Sequence, residues 1–432
     1  MPASDPAYRA SIDRSPGHLA AALNGMVDVE SLLVKMLANA RLLVGAEAGT
    51  VYLAEGGRLR FVSSQNEYLE RTVEDRMDLP FAGNNIAIDK LTLAGYSASE
   101  MRIITVNDTH DIDPGSPFQH DKSVDASTSY DSKAVISIPL GTLSGDLLGV
   151  LQIINPLDES GRVRAFTAED EHNLSYLAES AALALEKAIM LRRSTLLTVK
   201  MVSVQDPSET AGHALRVATV AKELYARWSL KSGVPLTERE HILNILPLAA
   251  MLHDVGKNWL PKELLTKPGR LDPTERCLME GHVLSGAKLF AKPKTSLGRL
   301  TLVVITDHHE RWDGRGYPGR IEELPPVLDI ISGLAPISPL EGLSNAGQGK
   351  KGEEISIYGR ILAVADVYDA LSSRKTYKEA FDESLVVQIM EQESGHHFDP
   401  SVIESFMAIQ PTLAKLRHRF PESEDPFNSY PL

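Results

Sequence analysis

One cysteine, Cys277, in 432 residues excludes an intramolecular disulfide and fits a reducing compartment. No apolar run approaches the ~18–20 residues that span a bilayer. Residues 1–25 lack the basic start and uninterrupted apolar centre of a signal peptide, so the chain is expected to be cytoplasmic. Positive charge is also short, with 44 Lys and Arg against 58 Asp and Glu and a formal net charge of −14. That balance argues against broad electrostatic capture of a nucleic-acid polymer or an anionic membrane, but leaves room for a small anion in a local cationic pocket. No repeat of 20 to 50 residues is visible. What remains is an ordinary globular composition, 43% apolar and 24% charged. At about 150 residues per domain the length predicts two or three domains.

The pattern along the chain changes once. After a loose leader, residues 1–24, helical periodicity begins near Val29, with Leu32, Leu33, Met36, Leu37 and Ala40 on one face. Two short β-rich runs around Gly56-Gly57 predict a hairpin, and a further short strand is expected at residues 102–106. Residues 108–132, rich in Asp, Ser, His and Pro, read as a loop. Residues 134–140 and 147–155 read as strands. From Thr167, a predicted N-cap with Asp170 three residues on, a helix follows that no Gly or Pro interrupts before Pro207. The sequences AGTVYL, SIPL…GDLLGVLQIIN and FTAED…AALALEKA in this region resemble those of a GAF domain, a small α+β sensory module. The resemblance covers residues 25–190 and implies a fold without naming a ligand; a dimerising spacer that binds nothing is the competing reading. Residues 191–205 are expected to be a helical linker, and residues 206–415 read as almost all helix before a tail, 416–432. The expected fold class is therefore multidomain: an α+β sensory domain followed by an all-α domain.

Chemistry-bearing residues concentrate in the second half. The stretch LHDVGK sets His253, Asp254 and Lys257 within five residues, with Gly256 suited to ending a helix. Glu209 and His213, four apart, would share a helix face. His282 lies mid-helix among apolar residues, His308-His309 follows an apolar run, and Asp366 interrupts the apolar helix ILAVADVYDAL. Each of these is expensive to bury unless it is paired or bound to a metal. Five imidazoles and three carboxylates suit Fe, Mn or Zn, and exceed what one ion needs. Two-metal sites serve in-line phosphoryl displacement. The Gly-rich turn after His309 ends in Tyr317-Pro318 and suits a phosphate, as do Lys257, Arg374, Lys375 and Lys378.

LHDVGK, the spaced His282, HHERWDGRGYP and ILAVADVYDALSSRKTYK together resemble the HD-GYP family of metal-dependent phosphohydrolases over residues 200–410. The resemblance implies hydrolysis of cyclic di-GMP to pGpG and onward to GMP by two to three Fe or Mn ions. The Glu209–His213 pair is similar to that of the trinuclear subset. The implied metal ligands are Glu209, His213, His253, Asp254, His282, His308, His309 and Asp366, with Asp254 bridging two ions and positioning the attacking water-derived group. Lys257, Tyr317 and Lys378 match phosphate-holding positions, and Lys257 also matches a catalytic one. The long helix joining the two domains is expected to pair with its copy in a homodimer.

Three features depart from that pattern. Arg315 replaces a small residue. Lys375 stands where Arg is usual, so that Arg374 is the alternative phosphate clamp, since Lys cannot form a bidentate fork. The 57-residue interval from His309 to Asp366 is long, with the excess around residues 321–349, read either as a lid or as a surface insertion. A receptor that binds cyclic di-GMP without cleaving it, and an HD phosphohydrolase acting on another nucleotide, are the alternative functions. His241, His396, His397 and Cys277 are expected to be structural or surface residues; His110 and His120 form a weaker second metal candidate.

Overall fold

The computed structural model describes residues 15–66, 85–119, 130–207, 209–321, 349–373, 381–417 and 420. The chain divides between Leu191 and Arg192 into two compact units.

The first unit opens with helix α1 (Pro16–Ala21), capped by Ser15 and carrying Pro at its first position. Leu19, Ala20 and Leu23 are buried in the core. Helix α2 (Val29–Val44) starts at the Asp28 cap and ends at Gly45, whose φ of 66° only glycine adopts freely. The strands β1 (Ala46–Glu55), β2 (Arg58–Asn66), β3 (Ile86–Ala87), β4 (Ile104–Val106), β5 (Val135–Gly141) and β6 (Leu147–Pro156) build one sheet. Its order is β3-β2-β1-β6-β5-β4, antiparallel throughout. The expected hairpin is β1–β2.

Side chains alternate across this sheet. Val51 and Leu53 join Ile136, Ile138, Leu151 and Ile153 on the face covered by α2 and by Leu174, Leu177, Ala181 and Leu185 of helix α4 (Ala168–Gln205). Tyr52, Ala54 and Val150 face the other way, against Ala94 and Ala98 of helix α3 (Leu93–Glu100). The start of α4 is the reciprocal cap that its sequence predicts. Asp170 N–H donates to Thr167 Oγ1 at 3.1 Å, and Thr167 N–H donates to Asp170 Oδ2 at 2.8 Å.

The second unit is helical: α5 (Ala211–Lys231), α6 (Leu236–Met251), α7 (Lys262–Leu265), α8 (Pro273–Leu289), α9 (Ser296–Asp307), α10 (Ile357–Ser372), α11 (Glu383–Gln392) and α12 (Pro400–Arg417). α5 packs on α6, α10 and α12, while α9 packs on α6 and α10. Val202, near the end of α4, clusters with Val255, Ala287 and Ile305. Two glycines permit the close crossings that assemble the polar centre. A Cβ on Gly256 would stand 1.8 Å from the His282 carbonyl oxygen, and one on Gly359 would stand 2.3 Å from Asp307 Cβ. Gly256 therefore serves a close approach rather than a helix stop; α6 ends earlier, at Met251. The expected long loop falls largely on residues 322–348, outside the described residues. Among those described, no helix is long and apolar enough to cross a membrane.

Candidate metal centre

The candidate residues come from five separate pieces of chain. His253 and Asp254 occupy the turn after α6, and His282 lies within α8. His308 caps the C-terminus of α9 and His309 follows it. His213 stands in the first turn of α5, and Asp366 within α10. Glu209 sits just before the Thr210 cap of α5 rather than on the helix, yet its Oε2 lies 3.4 Å from His213 Nε2.

Two groups of donor atoms result, Asp254–His282–His308–His309 and Glu209–His213–His253, each mutually within 4.8 Å. They meet at the His253–Asp254 dipeptide. Asp366 adds an oxygen 3.6 Å from His213 Nε2. All eight residues that the sequence reading nominated thus converge.

The histidine tautomers follow from their partners. Nδ1 of His253, His282 and His308 lies 2.8, 2.7 and 2.9 Å from the carbonyl oxygens of Ala250, Met279 and Ile305. A carbonyl can only accept, so each Nδ1 carries a proton, and in the neutral ring each Nε2 presents a lone pair to the centre. Against its burial, Asp254 and the other carboxylates push the His253 imidazole up to about 10, so a metal there competes with a proton. His213 achieves the same orientation through Asp369 Oδ2, 2.9 Å from its Nδ1. Among the described residues, Nε2 of His213, His253, His282 and His308 and Oδ1 of Asp254 are buried and have no hydrogen-bond partner. Asp254 Oδ1 lies 3.0 Å from His282 Nε2 and 3.4 Å from His308 Nε2, close in distance but without the angles of hydrogen bonds. Burying five such atoms unpaired is costly. Mixed nitrogen and oxygen donors converging this way fit borderline divalent metals.

Electrostatics lead to the same chemistry. Burial alone would raise the Asp254 carboxyl, but Lys257 and His253 outweigh it and hold the group well below the carboxylate range. Burial, reinforced by His308 and His282, pushes the His309 imidazole well below its usual value, leaving a neutral donor. Lys257 Nζ lies 2.8 Å from both Asp254 Oδ2 and Glu209 Oε1 and 3.5 Å from Asp206 Oδ2. The Tyr317 ring stacks on His309 with centroids 4.7 Å apart. The turn before it is held from outside: Trp312 and Asp313 donate their N–H groups to the carbonyls of His397 and His396. Arg374, Lys375 and Lys378 lie outside the described residues, as does His120. His241 is exposed, as expected. His110 is exposed between Asp108 and Asp131 and belongs to neither donor group.

Sequence reasoning missed Asp206, Arg216 and Asp369. Arg216 makes two hydrogen bonds to Asp369, Nε to Oδ1 at 2.7 Å and Nη2 to Oδ2 at 3.0 Å. The available signal was spacing, since Asp369 follows Asp366 by three and Arg216 follows His213 by three, on one helix face each.

This fold and site correspond to two known domain families. Residues 28–185 match the GAF domain, and residues 210–371 match the HD domain, with a second HD model over residues 344–402. The chain thus carries a GAF domain followed by a helical HD domain. Over 283 residues it is 29% identical to a cyclic di-GMP phosphodiesterase of Vibrio cholerae serotype O1, covering 64% of this chain and 50% of that one. Over 212 residues it is 31% identical to 3'3'-cGAMP-specific phosphodiesterase 2 of the same organism, covering 48% and 34%. The chain spans half or less of these relatives' length. A solved structure, the GAF domain of an Acinetobacter phosphoenolpyruvate-protein phosphotransferase, matches 40% of this chain and 91% of its own, at 12% identity and a TM-score of 0.31.

Proposed function

We propose that the HD domain hydrolyses the phosphodiester of a cyclic dinucleotide, cyclic di-GMP, to pGpG and onward to GMP. The observation that carries this reading is the convergence of the two donor groups on the His253–Asp254 dipeptide, with their buried donor atoms unpaired. Two to three Fe or Mn ions held by Glu209, His213, His253, Asp254, His282, His308, His309 and Asp366 would supply the Lewis acidity that polarises a phosphodiester and activates water near neutral pH. The backbone carbonyls behind His253, His282 and His308 keep their rings aimed inward without adding charge. Asp254, a member of one group and next in sequence to His253 of the other, orients the attack. Lys257 holds a phosphate oxygen and supplies the proton for the departing 3′ oxygen, and the Tyr317 hydroxyl binds the same phosphate. Arg374, Lys375 and Lys378 are further candidates for binding the substrate phosphates.

We assign residues 25–190 and 206–415 to the sensory and catalytic domains, flanked by the leader 1–24 and tail 416–432 and joined by the linker 191–205. The sensory domain would regulate turnover through α4, in a cytoplasmic protein that engages neither membrane nor nucleic-acid polymer. Pairing with a second copy along α4 is supported by Tyr176, Leu183, Met190, Leu197 and Val204. These recur every seven residues and are all exposed, between 47% and 66%. A seven-residue apolar repeat supplies one of the two apolar positions per heptad of a coiled-coil seam.

A second substrate, 3'3'-cGAMP, is favoured by one observation: relatives named for either cyclic dinucleotide match this chain at nearly the same identity. The test is side-by-side turnover of the two by chain loaded anaerobically with Fe(II) or Mn(II). Faster cleavage of cyclic di-GMP supports the primary reading, and faster cleavage of cGAMP supports the second. Full metal loading with both nucleotides left intact overturns both and points to a receptor.

A further inference from the structure

The four histidines whose Nε2 atoms lack a partner are not held alike. Three lean on backbone carbonyls three residues back in their own segment. His213 is the third residue of α5, so the residue three back is its cap, Thr210, and the acceptor for its ring comes instead from α10. That acceptor is Asp369, 1% exposed, whose two oxygens are both occupied by the Arg216 guanidinium, itself only 4% exposed. Arg216 is fixed in turn by a bond from Nη1 to the Phe420 carbonyl oxygen at 2.9 Å. A full negative charge has therefore been buried behind one histidine, together with the cation that keeps it ionised.

We infer that Asp369, anchored by Arg216, is a positioning residue that holds His213 with Nε2 toward the centre and sets the metal affinity of the Glu209–His213–His253 group independently of the Asp254–His282–His308–His309 group. A carboxylate behind an imidazole fixes the tautomer and strengthens the ring as a donor, and losing such a partner costs about 10- to 100-fold in metal affinity. A backbone carbonyl fixes the tautomer with no net charge. His253 of the same group leans on a carbonyl, as His282 and His308 of the other group do, so the carboxylate behind His213 is what distinguishes the Glu209–His213–His253 group.

The inference rests on the metal-centre reading, and one titration separates the two. Metal-free full-length chain is titrated with Mn(II), free Mn(II) is followed by electron paramagnetic resonance, and thermal unfolding is recorded on the same samples. The variants are Asp369→Asn and the double variant Arg216→Met with Asp369→Asn. The first is expected to bind one ion 10- to 100-fold more weakly while the others bind as in the wild type. The double variant removes both charges of the buried pair and is expected to recover thermal stability without recovering that ion. It also keeps the test open where the single variant unfolds. Unchanged binding by Asp369→Asn, loss of every ion together, or return of the lost ion in the double variant would each overturn the inference. A wild-type chain that binds no Mn(II) would overturn the metal-centre reading itself.

Discussion

Stripping divalent metal from the chain is expected to lower the unfolding temperature of the helical unit and leave the N-terminal unit unchanged. The magnitude follows from the buried atoms. Four Nε2 lone pairs and Asp254 Oδ1 face one another without hydrogen bonds, and a buried unsatisfied polar atom costs about 1–3 kcal/mol. Metal-free protein therefore carries a penalty of several kcal/mol that bound ions relieve. An ion that binds only the folded state, present at a thousand times its dissociation constant, stabilises by about 4.1 kcal/mol. For a domain of this size each kcal/mol moves the midpoint by roughly 2–4 °C, so the helical transition should rise by about 8–16 °C on loading. Differential scanning calorimetry of chelated and Mn(II)-loaded chain reads this directly, with the N-terminal transition as internal reference. A helical transition that ignores Mn(II) and chelator, or two transitions that move together, would refute the reasoning.

Other consequences are as specific. Gly256→Ala would push a Cβ into the His282 carbonyl and the Gly286 N–H. It is expected to destabilise by about 1–3 kcal/mol and reduce bound metal, read by denaturant unfolding and metal analysis. Asp170 is held below the ordinary carboxylate range: burial works to raise it, but Arg164, 2.5 and 3.1 Å away, and the Thr167 N–H outweigh that. A depressed folded value means stability present above the ordinary Asp range near 4 and lost as pH falls through the folded value. Asp170→Asn should thus cost about 1–3 kcal/mol at pH 7, with the gap from wild type closing below about pH 4 in pH-dependent unfolding. Leu183→Glu with Met190→Glu should convert a dimer to a monomer in sedimentation velocity without changing metal content; an unchanged sedimentation coefficient would rule out pairing along α4.

Residues expensive to bury made the metal centre legible in the sequence. His282 and Asp366 interrupt apolar helices, and His253-Asp254 and His308-His309 end them, so each stood out against its surroundings. Thr167 and Asp170 announced the start of α4 because a cap is local chemistry. What sits behind the centre was hidden, since Arg216 and Asp369 look like charges on amphipathic helices until α5 and α10 are packed together. Lys257 shows the same limit, because its ion pairs to Glu209 and Asp206 join residues about fifty positions apart. One misreading has a definite cause. Gly256 resembles a helix stop, but its role is a close approach that exists only in three dimensions.

The measurement that bears most directly on the account is product analysis after adding cyclic di-GMP to Mn(II)-loaded wild-type chain and to the variant carrying His253→Ala and Asp254→Ala. These two residues join the donor groups, so the account predicts pGpG or GMP from the wild type and no turnover from the variant, which still unfolds cooperatively. Residual activity above about a few per cent in the variant, a barrier change of only about 2 kcal/mol, would contradict it.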